Sequence, residues 1–477
     1  MNTVGKMKKI ALGVKLALCA VLGAGAVVWN AGTPREAAAE GSDIHAVEAG
    51  YKSSFALRDG KLLVWGDNES GRLGLRERST YFETRPVVNE LVNVVSVETN
   101  GSTTLAVKAN GDLLGFGKNH EGLLGLRVNP FDVRIVESSA IPIIVPINNV
   151  RSVALGGGVA IALKKDGTAW EWGYNSGLAR DKYHIPRQLS GLPSNIDTIF
   201  AEGDSFFATT ADGKVYVWGS NHSGQLGLDT ADKSQPTPIR NYNLTGFKSF
   251  RGAQMATIGL KADGTVWIWG DKNACSNDSN YNSKLEQIPG LTGITEIDAS
   301  YSFLALNKAG KVYSFGCNIN NYQWESPKQV QGLPSDIIDI AKGWSHGLAM
   351  SADGALWGWG INNRGSVGDG TVTDRPIPVR VDDDHPIRPE NLRAFPGESK
   401  ITLVWANYNP DIQYYNVYRK SNMETNYRVV PTNGNENFLI VSGTYFFKYS
   451  FYVTAVDKAG HESQPTPVIE ARPLVNR

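Results

Sequence analysis

Asp212-Gly213-Lys214-Val215-Tyr216-Val217-Trp218-Gly219 is one of seven copies of a phrase that decides the fold. Each copy has a turn glycine, an aromatic residue five positions later, and a second glycine directly after the aromatic residue. The seven pairs of turn glycine and aromatic residue are Gly60 and Trp65, Gly111 and Phe116, Gly167 and Trp172, Gly213 and Trp218, Gly264 and Trp269, Gly310 and Phe315, and Gly354 and Trp359. A fixed phrase that recurs every 44 to 56 residues indicates a repeat architecture.

Each copy of the phrase predicts a β-hairpin. Six of the seven turn glycines follow Asp or Asn, and such pairs favour the positive φ angles of tight hairpin turns. Apolar residues alternate on both sides of the turn, as in Leu304-Ala305-Leu306 before it and Val312-Tyr313-Ser314-Phe315 after it. The glycine after each aromatic residue is typical of a bulge or of a close backbone approach.

A third apolar element also occurs seven times, and each copy precedes a hairpin. The copies are Ile44-x-x-Val47, Val94-x-x-Val97, Val150-x-x-Val153, Ile196-x-x-Ile199, Phe247-x-x-Phe250, Ile294-x-x-Ile297 and Ile337-x-x-Ile340. The first copy precedes the first hairpin and none follows the seventh. We therefore predict a closed ring in which the N-terminal strand near Ile44–Val47 completes the last blade, because closure removes exposed sheet edges.

The loops after the hairpins carry a family resemblance. The stretches from Trp218 to Gly227 and from Trp65 to Gly74 resemble the regulator-of-chromosome-condensation repeat, and those from Phe116 to Gly125 and from Trp359 to Gly368 resemble it more weakly. The resemblance extends from about Ile44 to Val381 and is to the secreted bacterial members of that family. It implies a seven-bladed β-propeller. Blades three, five and six lack the Gly-Gln-Leu-Gly part of the loop.

The sequence changes character after Arg380. We assign residues 40–381 to the propeller, residues 382–388 to a linker, and residues 389–475 to a second domain. Its alternating strands resemble a fibronectin type III module, in which Trp405 is the core tryptophan and Tyr449 the corner tyrosine that bonds back to the backbone. The predicted fold class is thus all-β, a seven-bladed β-propeller followed by a fibronectin type III-like β-sandwich. A calcium site at Asp382-Asp383-Asp384 is the less favoured interpretation of the linker.

The N-terminal residues predict export. Lysines at positions 6, 8 and 9 precede an apolar stretch from Leu16 to Trp29 and then Ala37-Ala38-Ala39, which is the order of a secretory signal peptide over residues 1–39. An uncleaved leader that anchors the chain in a membrane is the alternative. The 47 basic and 47 acidic residues balance, which gives no support to nucleic-acid binding by bulk charge.

Cleavage of the leader would leave two cysteines, Cys275 and Cys317, which follow the aromatic-Gly pairs of adjacent blades. A disulfide is permitted in an exported protein. Two free buried thiols are the favoured interpretation, since the sequence does not give the geometry that a disulfide requires.

No catalytic constellation is evident, and we expect neither enzyme activity, nor a cofactor, nor a metal site. None of the seven histidines has catalytic neighbours at a characteristic spacing. His346 in Gly343-Trp344-Ser345-His346-Gly347 is the strongest candidate, and we interpret it as a framework residue. A site assembled from several blades stays open as an alternative.

Aromatic residues in the loops are the candidate binding residues, because aromatic side chains on a rigid scaffold are typical binding anchors. The turn after the Ile-x-x-Ile element supplies Tyr51, Phe206, Met255, Tyr301 and Trp344, and the altered loops of blades three and six supply Tyr174, Tyr183, Tyr322 and Trp324. We expect Tyr51, Tyr301 and Trp344 to form an exposed, contiguous arc at one end of the ring. The equally weighted alternative is that some of these residues only cap neighbouring blades.

The sequence therefore predicts an exported, non-catalytic binding protein, a monomer whose partner is an extracellular or envelope protein. A carbohydrate-binding or polysaccharide-active protein of the cell envelope is the alternative, and a purely structural surface protein is a third possibility. Acidic residues that converge in a wet groove would favour the polysaccharide alternative, and an aromatic-rimmed face would favour protein binding.

Overall fold

The computed structural model describes residues 46–58, 61–75, 81–119, 121–126, 137–174, 183–230, 232–253, 255–271, 284–318, 323–381, 389–406, 412–458, 460, 462–463 and 465–475. These residues form an all-β structure. Seven antiparallel four-stranded sheets follow one another along residues 46–381, and a three-stranded and a four-stranded sheet follow from residue 390. We number the first seven as sheets 1 to 7.

Each of these seven sheets consists of four consecutive strands, ordered from the inside of the ring outwards. Sheet 1 contains β1 Ala46–Ala49, β2 Ser53–Arg58, β3 Lys61–Asp67 and β4 Phe82–Val92; sheet 2 contains β5 Val94–Thr99, β6 Thr103–Lys108, β7 Leu113–Lys118 and β8 Ser138–Ile144. Sheet 3 contains β9 Val150–Leu155, β10 Val159–Lys164, β11 Ala169–Gly173 and β12 Tyr183–Gln188; sheet 4 contains β13 Ile196–Glu202, β14 Ser205–Thr210, β15 Val215–Ser220 and β16 Ser234–Asn241.

The remaining sheets repeat this order. Sheet 5 contains β17 Phe247–Ala253, β18 Ala256–Lys261, β19 Val266–Gly270 and β20 Glu286–Gln287; sheet 6 contains β21 Ile294–Ala299, β22 Ser302–Asn307, β23 Val312–Cys317 and β24 Trp324–Gln329. Sheet 7 contains β25 Ile337–Lys342, β26 His346–Ser351, β27 Leu356–Gly360 and β28 Arg375–Val381.

The predicted exchange of the N-terminal strand is wrong. Strand β1 pairs with β2 and opens sheet 1, whereas sheet 7 has a fourth strand of its own, β28. The prolines at positions 376 and 378 hid β28 in the sequence, because proline is unfavourable in a strand except at an edge. The ring nevertheless closes, since side chains of β1 to β3 pack against β25 to β28 in a shared apolar cluster.

The apolar core is divided among the junctions between neighbouring sheets. Each of seven clusters of buried side chains combines residues from two adjacent sheets, in the order 1–2, 2–3, 3–4, 4–5, 5–6, 6–7 and 7–1. The inner three strands of each sheet therefore bury both faces against the neighbouring sheets, which explains why they are apolar on both sides.

The glycine that follows each aromatic residue has the predicted function. All seven have φ between 87° and 108°, and the ladder between the third and fourth strands shifts its register beside six of them. A Cβ atom at Gly219 would lie 2.1 Å from the carbonyl oxygen of Asp204, so a side chain has neither an allowed backbone conformation nor room here.

The family-like loops of sheets 1, 2, 4 and 7 share an internal hydrogen bond. In each loop an asparagine Oδ1 accepts from the backbone N–H five residues later, at 2.9 to 3.1 Å; the pairs are Asn68 and Leu73, Asn119 and Leu124, Asn221 and Leu226, and Asn362 and Val367. The leucine or valine is fully buried. The loop is thereby a tight turn that buries one aliphatic side chain, and Leu73 and Leu226 belong to the apolar clusters shared with the next sheet.

The same loops bind the aromatic residue of the following sheet. The indole N–H of Trp269 donates to the Gln225 carbonyl at 2.8 Å, and those of Trp172 and Trp65 donate to the carbonyls of Leu123 and Ser366 at 2.8 and 2.9 Å. Trp218 follows sheet 3, which lacks the loop sequence, and its buried N–H has no partner among the described residues. The loop thus supplies an acceptor to the next sheet.

Prolines mark the outer rim of the ring. Six of the seven fourth strands contain proline, at positions 86, 142, 186, 236 and 238, 327, and 376 and 378. Proline lacks the backbone N–H that a further strand of the sheet would need, and it occurs in sheets almost only at edges. The fourth strand is therefore the last strand of each sheet.

The C-terminal strands form two sheets that share an apolar core. The first contains β29 Glu390–Gly397, β30 Lys400–Ala406 and β33 Phe438–Ser442; the second contains β31 Ile412–Ser421, β32 Arg428–Pro431, β34 Tyr449–Asp457 and β35 Ile469–Ala471. Trp405 is buried and packs edge-on against Tyr415, with ring centroids 5.2 Å apart. The Tyr449 hydroxyl accepts from the backbone N–H of Thr444 at 3.2 Å, which confirms the predicted contact with the backbone.

Two observations bear on the sequence predictions for compartment. Cys317 is disulfide-bonded, so its interpretation as a free thiol is wrong; Cys275 lies outside the described residues, as do the predicted leader and the linker at residues 382–388. Within the described residues, no helix has the length and the apolar character needed to cross a bilayer.

A pair of tryptophan variants tests the importance of the acceptor that the loop supplies. Trp269→Phe removes a buried N–H···O=C bond and should lower the free energy of unfolding by about 1 kcal/mol more than Trp218→Phe, which removes no bond to a described residue. Both changes lose similar indole volume, so chemical denaturation of the two variants isolates the bond. Equal losses would show that the bond contributes nothing.

Tyr449→Phe tests the corner contact of the C-terminal sheets. It should destabilise these sheets by about 1 kcal/mol, because the backbone N–H of Thr444 loses its acceptor. Tyr452→Phe is the control, since no described hydrogen bond involves its hydroxyl. Thermal unfolding followed by calorimetry measures the change. An unchanged transition for Tyr449→Phe would contradict the contact.

Candidate functional site

The inner strands of all seven sheets end around one cavity of about 280 Å³, which we call the axial well. Its wall is formed by the last residues of β1, β5, β9, β13, β17, β21 and β25 and by the turns that follow them. Because every sheet contributes to the wall, the well is enclosed on all sides and open only along its axis. It can receive the end of a ligand or a projecting side chain.

The wall of the axial well is acidic. Carboxylates of Glu48, Glu98, Glu202 and Asp298 face two cationic side chains. Arg251 donates to Asp298 at 2.9 Å and to the Phe250 carbonyl at 2.8 Å, and Lys342 donates to the carbonyls of Gly343 and His346 at 2.5 and 3.3 Å. These cations are thus already held by the protein, and the four carboxyl groups outnumber them.

Burial controls the protonation of these groups. It raises the pKa of Glu98 to about 7, with a further increase from the charge of Asp298 and an opposing effect of Arg251. Burial also raises the pKa of Glu48 and of Glu202 well above the usual range, and it lowers the pKa of Lys342 to about 8. Loss of water is the main cause in each case, since a narrow well solvates charge poorly.

Two acids of the inner strands also join neighbouring sheets. Asp298 of β21 accepts from the backbone N–H of Lys342 in β25 at 2.6 Å. Asp339 of β25 accepts from the backbone N–H of Val47 in β1 at 2.7 Å. A side chain of one sheet thereby satisfies a backbone donor of the next sheet, and the second of these bonds lies at the closure of the ring.

The predicted aromatic arc is present as a set of contacts. The rings of Tyr51 and Trp344 lie 4.9 Å apart, and Tyr301 meets Trp344 edge-on at 6.0 Å. Tyr51 is 42% exposed and Trp344 is partly exposed, and both line the axial well. Tyr301 is only 9% exposed, so its predicted exposure is wrong. Its ring packs against the buried side of the Trp344 indole.

Phe206 is not a binding anchor. It lies in strand β14 and is 1% exposed, and its ring stacks on Trp218 at 5.6 Å. The turn before it closes at Gly203 and Asp204, which places Phe206 inside the junction between sheets 3 and 4. Capping of a neighbouring sheet, the alternative interpretation, is correct for this residue.

The remaining aromatic candidates are scattered. Trp324 is partly buried against Phe303, at 6.0 Å between ring centroids, and belongs to the core between sheets 5 and 6. Tyr174 is partly exposed, and Met255 is 43% exposed. Tyr322 and the side chain of Tyr183 lie outside the described part of the chain. The structure therefore brings together Tyr51, Tyr301 and Trp344 out of the predicted set.

His346 joins sheet 7 to sheet 1, as expected of a framework residue. Its Nε2 lies 2.9 Å from the Ser54 hydroxyl, and that hydroxyl donates to the Ser366 carbonyl at 2.8 Å. A hydroxyl has one proton, so the ring must donate through Nε2–H and keep an unprotonated Nδ1. Burial lowers the pKa of His346 to about 3, which keeps the ring neutral and unsuited to take up a proton at neutral pH.

The acids of the axial well were missed by sequence reasoning, although a signal was present. Glu48, Glu98, Arg251 and Asp298 directly follow the second apolar residue of the Ile-x-x-Ile element, where other repeats have Ala or Phe. Charges at one register position of a closed ring must meet at its axis. Within the described residues, no group of three or more His, Cys, Asp or Glu has an arrangement that could hold a metal ion.

Comparison with known families identifies the repeat. The profile of the RCC1-like domain matches residues 15–324, and that of the regulator of chromosome condensation (RCC1) repeat matches residues 337–366. The chain belongs to the RCC1-like domain family. The first match begins within the stretch predicted as a leader. Proteins of this family typically mediate protein interactions or act as exchange factors.

Curated relatives match this chain over different shares of their own length. The chain is 28% identical to E3 ubiquitin-protein ligase HERC2 of Homo sapiens over 368 residues, which are 72% of this chain and 8% of that protein. It is 25% identical to Ultraviolet-B receptor UVR8 of Arabidopsis thaliana over 368 residues, 70% of this chain and 80% of that protein. The chain thus spans a small part of the ligase and most of the receptor.

Solved structures support the propeller fold. The structure of human WBSCR16 superposes with a TM-score of 0.59 and 21% sequence identity. The match covers 70% of this chain and 96% of the WBSCR16 chain. Prp20p of Saccharomyces cerevisiae, whose structure was described with its binding to Gsp1p and histones, has a TM-score of 0.59 and 18% identity over 72% of this chain and 88% of its own. At these identities the similarity shows the fold alone.

The raised pKa of Glu98 predicts how stability depends on pH. The unfolded chain releases this proton near pH 4.5 and the folded chain near pH 7, so the contribution of Glu98 to stability is complete below pH 4.5 and is lost as the pH rises through 7. Glu98→Gln should therefore raise the melting temperature at pH 8 and change it little at pH 5.

Glu325→Gln is the control for this experiment. Hydrogen bonds from Asn318 and Lys328 lower the pKa of Glu325, so its titration is complete below the range tested. Melting curves from pH 5 to pH 8 should keep the wild-type slope in this variant. A Glu98→Gln profile parallel to that of the wild type would contradict the raised pKa.

Proposed function

We propose that this protein is an exported, non-catalytic binding protein that uses the end of the ring around the axial well to bind a protein partner at or outside the cell surface. In this proposal the seven sheets are the blades of a seven-bladed propeller, and the C-terminal sheets are a fibronectin type III-like domain over residues 389–475. The observation that carries it is the pair of partly exposed rings, Tyr51 and Trp344, at the rim of an enclosed acidic well.

Export is supported by two independent features. The order of charged, apolar and small residues in 1–39 is that of a signal peptide, and Cys317 is disulfide-bonded. Disulfides persist mainly in oxidising compartments. An exported protein meets extracellular and envelope proteins, so the proposed partner is one of these.

The rim of the well has the composition of a protein-binding surface. Aromatic residues are enriched among binding hot spots, because they bury a large area with little loss of conformational entropy. Tyr301 holds Trp344 in place from the buried side. The arc is therefore pre-organised before a partner arrives, which lowers the entropic cost of binding.

A carbohydrate ligand is the second candidate, and the convergence of four carboxyl groups in the axial well favours it. Glycosidases use a pair of carboxyl groups, one of which has a raised pKa. The enclosed shape of the well admits the end of a glycan but not the interior of an extended polymer. A purified chain that releases reducing sugar from cell-wall polysaccharide would favour this candidate over protein binding.

The double variant Tyr51→Ala, Trp344→Ala tests the proposed function. Both side chains are at least partly exposed, so the variant should fold with an unchanged core while each lost anchor weakens binding by about 1–3 kcal/mol. The measurement is recovery of the partner from cell-envelope extracts by immobilised protein. Tyr301 is left in place because it is buried.

Tyr242→Ala is the matched control, since Tyr242 is 73% exposed and its ring contacts Arg240 near the outer rim. It should recover the partner as well as the wild type does. Undiminished recovery by the double variant would place the binding surface elsewhere and refute the proposal.

A further inference from the structure

The Glu48 carboxylate lines the axial well without a hydrogen-bond donor of its own. The surrounding chain shields it from water, and no described residue donates a hydrogen bond to it. Asp298 and Asp339, in contrast, each accept from a backbone N–H of the next sheet. A buried carboxylate without donors is costly in free energy. Glu48 is thus available for a donor that the chain does not supply.

Two further glutamates of the wall have few donors. One backbone N–H approaches each of them, that of Leu155 at Glu98 and that of Gly252 at Glu202. Gly252 also makes room for Glu202, since a Cβ atom at that position would lie 1.9 Å from the Cγ atom of Glu202. A carboxylate can accept about four hydrogen bonds through its two oxygens, so most of this capacity is unused.

The two cations of the wall leave these three glutamates unpaired. Arg251 forms an ion pair with Asp298 at 2.9 Å, and Lys342 donates to two backbone carbonyls. Among the described residues, no ion pair within 4 Å involves a glutamate of the well. A cation that entered the well would therefore meet three carboxyl groups that no other cation occupies.

The mouth of the well is aromatic. Tyr51 belongs to the turn that follows β1, and Trp344 belongs to the turn that follows β25, so both rings lie nearer the open end than the carboxyl groups do. Such rings pack against the methylene stem of a lysine or arginine and attract its charge. The Tyr51 ring already has the ammonium group of Lys52 at 5.4 Å from its centroid. The well thus combines an aromatic mouth with an acidic interior.

We propose that the axial well receives a basic side chain of the protein partner, a lysine or an arginine, whose stem passes the aromatic rim and whose charged tip binds among Glu48, Glu98 and Glu202. The inference rests on the proposed function and adds the chemistry of the residue that is recognised. An ammonium group has three donors and a guanidinium group has five. A sugar hydroxyl brings one donor and no charge, so it matches the unpaired carboxyl groups less well.

A basic side chain that enters the well displaces protons from it. Burial raises the pKa of Glu98 to about 7 and the pKa of Glu48 and of Glu202 well above the usual range, so these groups are partly protonated near neutral pH. A neighbouring cation favours the ionised carboxylate. Binding therefore releases protons, and the affinity rises with pH. The charged and titratable groups that face the three glutamates are Arg251, Asp298, Asp339 and Lys342, with Lys52 at the rim.

Capped tripeptides test the proposal directly. The probes are acetyl-Gly-Lys-Gly amide and acetyl-Gly-Arg-Gly amide, and the control peptide has norleucine, which keeps an apolar stem and lacks the charge. The basic peptides should bind in titration calorimetry and shift the indole N–H resonance of Trp344, whereas the control peptide should do neither. An equal response to the control peptide, or no response to either basic peptide, would overturn the proposal.

Glu48→Gln removes the charge and keeps the shape of the side chain. It should weaken binding of the lysine peptide about tenfold or more, because the cation loses an ionic partner in a poorly hydrated site. The variant should fold, since glutamine lacks the charge that burial disfavours. Glu202→Gln is a second variant with the same expected loss. Glu325→Gln, on the outer strand β24, is the control and should bind as the wild type does. Unchanged affinity of both well variants would refute the assignment.

The pH dependence separates the well from an ordinary acidic surface. The affinity of the wild-type chain for the lysine peptide should rise from pH 6 to pH 7, where Glu98 titrates and before Lys342, with a pKa of about 8, loses its proton. Carboxylates of ordinary pKa are almost fully ionised from about pH 6 upward and would leave the affinity constant. Glu98→Gln should reduce the rise. A constant wild-type affinity would contradict binding in the well.

The two proposals fail differently. If Glu48→Gln and Glu202→Gln recover the partner normally while Tyr51→Ala, Trp344→Ala does not, the rim binds a protein but the well does not receive a basic side chain. If none of these variants changes recovery, both proposals are wrong.

Discussion

The fold depends on the apolar junction between neighbouring sheets. The inner three strands of each sheet are largely buried on both faces, because each buried cluster combines side chains of two neighbouring sheets. An open row of such sheets would expose one face at each end. The ring must therefore close, and it does so at the junction of sheets 7 and 1 by the same packing that joins the others, reinforced by Asp339 to Val47 and His346 to Ser54.

The loops after the hairpins contribute to the packing between neighbouring sheets. A tight turn held by an asparagine places one aliphatic side chain in the gap and offers one carbonyl to the next sheet. When a repeat loses this turn, the next sheet compensates with phenylalanine at the opposite position, as at Phe206 and Phe303. Loop sequence and strand sequence of neighbouring repeats are thus correlated. The junction between sheets 6 and 7 is the exception, since Gly347 lies opposite Trp359 there.

The sequence was sufficient for the features that local chemistry determines. The turn glycines predicted the hairpins and their number, and the glycine after each aromatic residue predicted the bulge. The alternation near Tyr449 predicted the contact of its hydroxyl with the backbone. The closure was mispredicted because the prolines of β28 concealed the fourth strand. The exposure of Phe206 and Tyr301 was mispredicted because burial is set by the neighbouring sheet, which is distant in the sequence.

The axial well, by contrast, is formed by residues that are distant from one another in the sequence. Glu48 and Asp298, two of its members, are 250 residues apart (298 − 48) and meet only because the ring is closed. Closure also removes water from them, which is why their pKa values are raised. The charged residues that follow the second apolar residue of the Ile-x-x-Ile element indicate the well, but only when the seven copies are placed around a common axis.

The prolines of the outer strands restrict the ways in which another molecule can approach the ring. Many proteins are recognised by strand addition, in which a partner segment extends a sheet and pairs its backbone with the edge. A partner strand placed along β4, β8 or β28 would find a ring nitrogen without hydrogen where it needs a donor, and one of its carbonyls would lose water without compensation. Side-on recognition through backbone pairing is thereby disfavoured around most of the circumference, which leaves the two ends of the ring as the directions from which a specific partner can come.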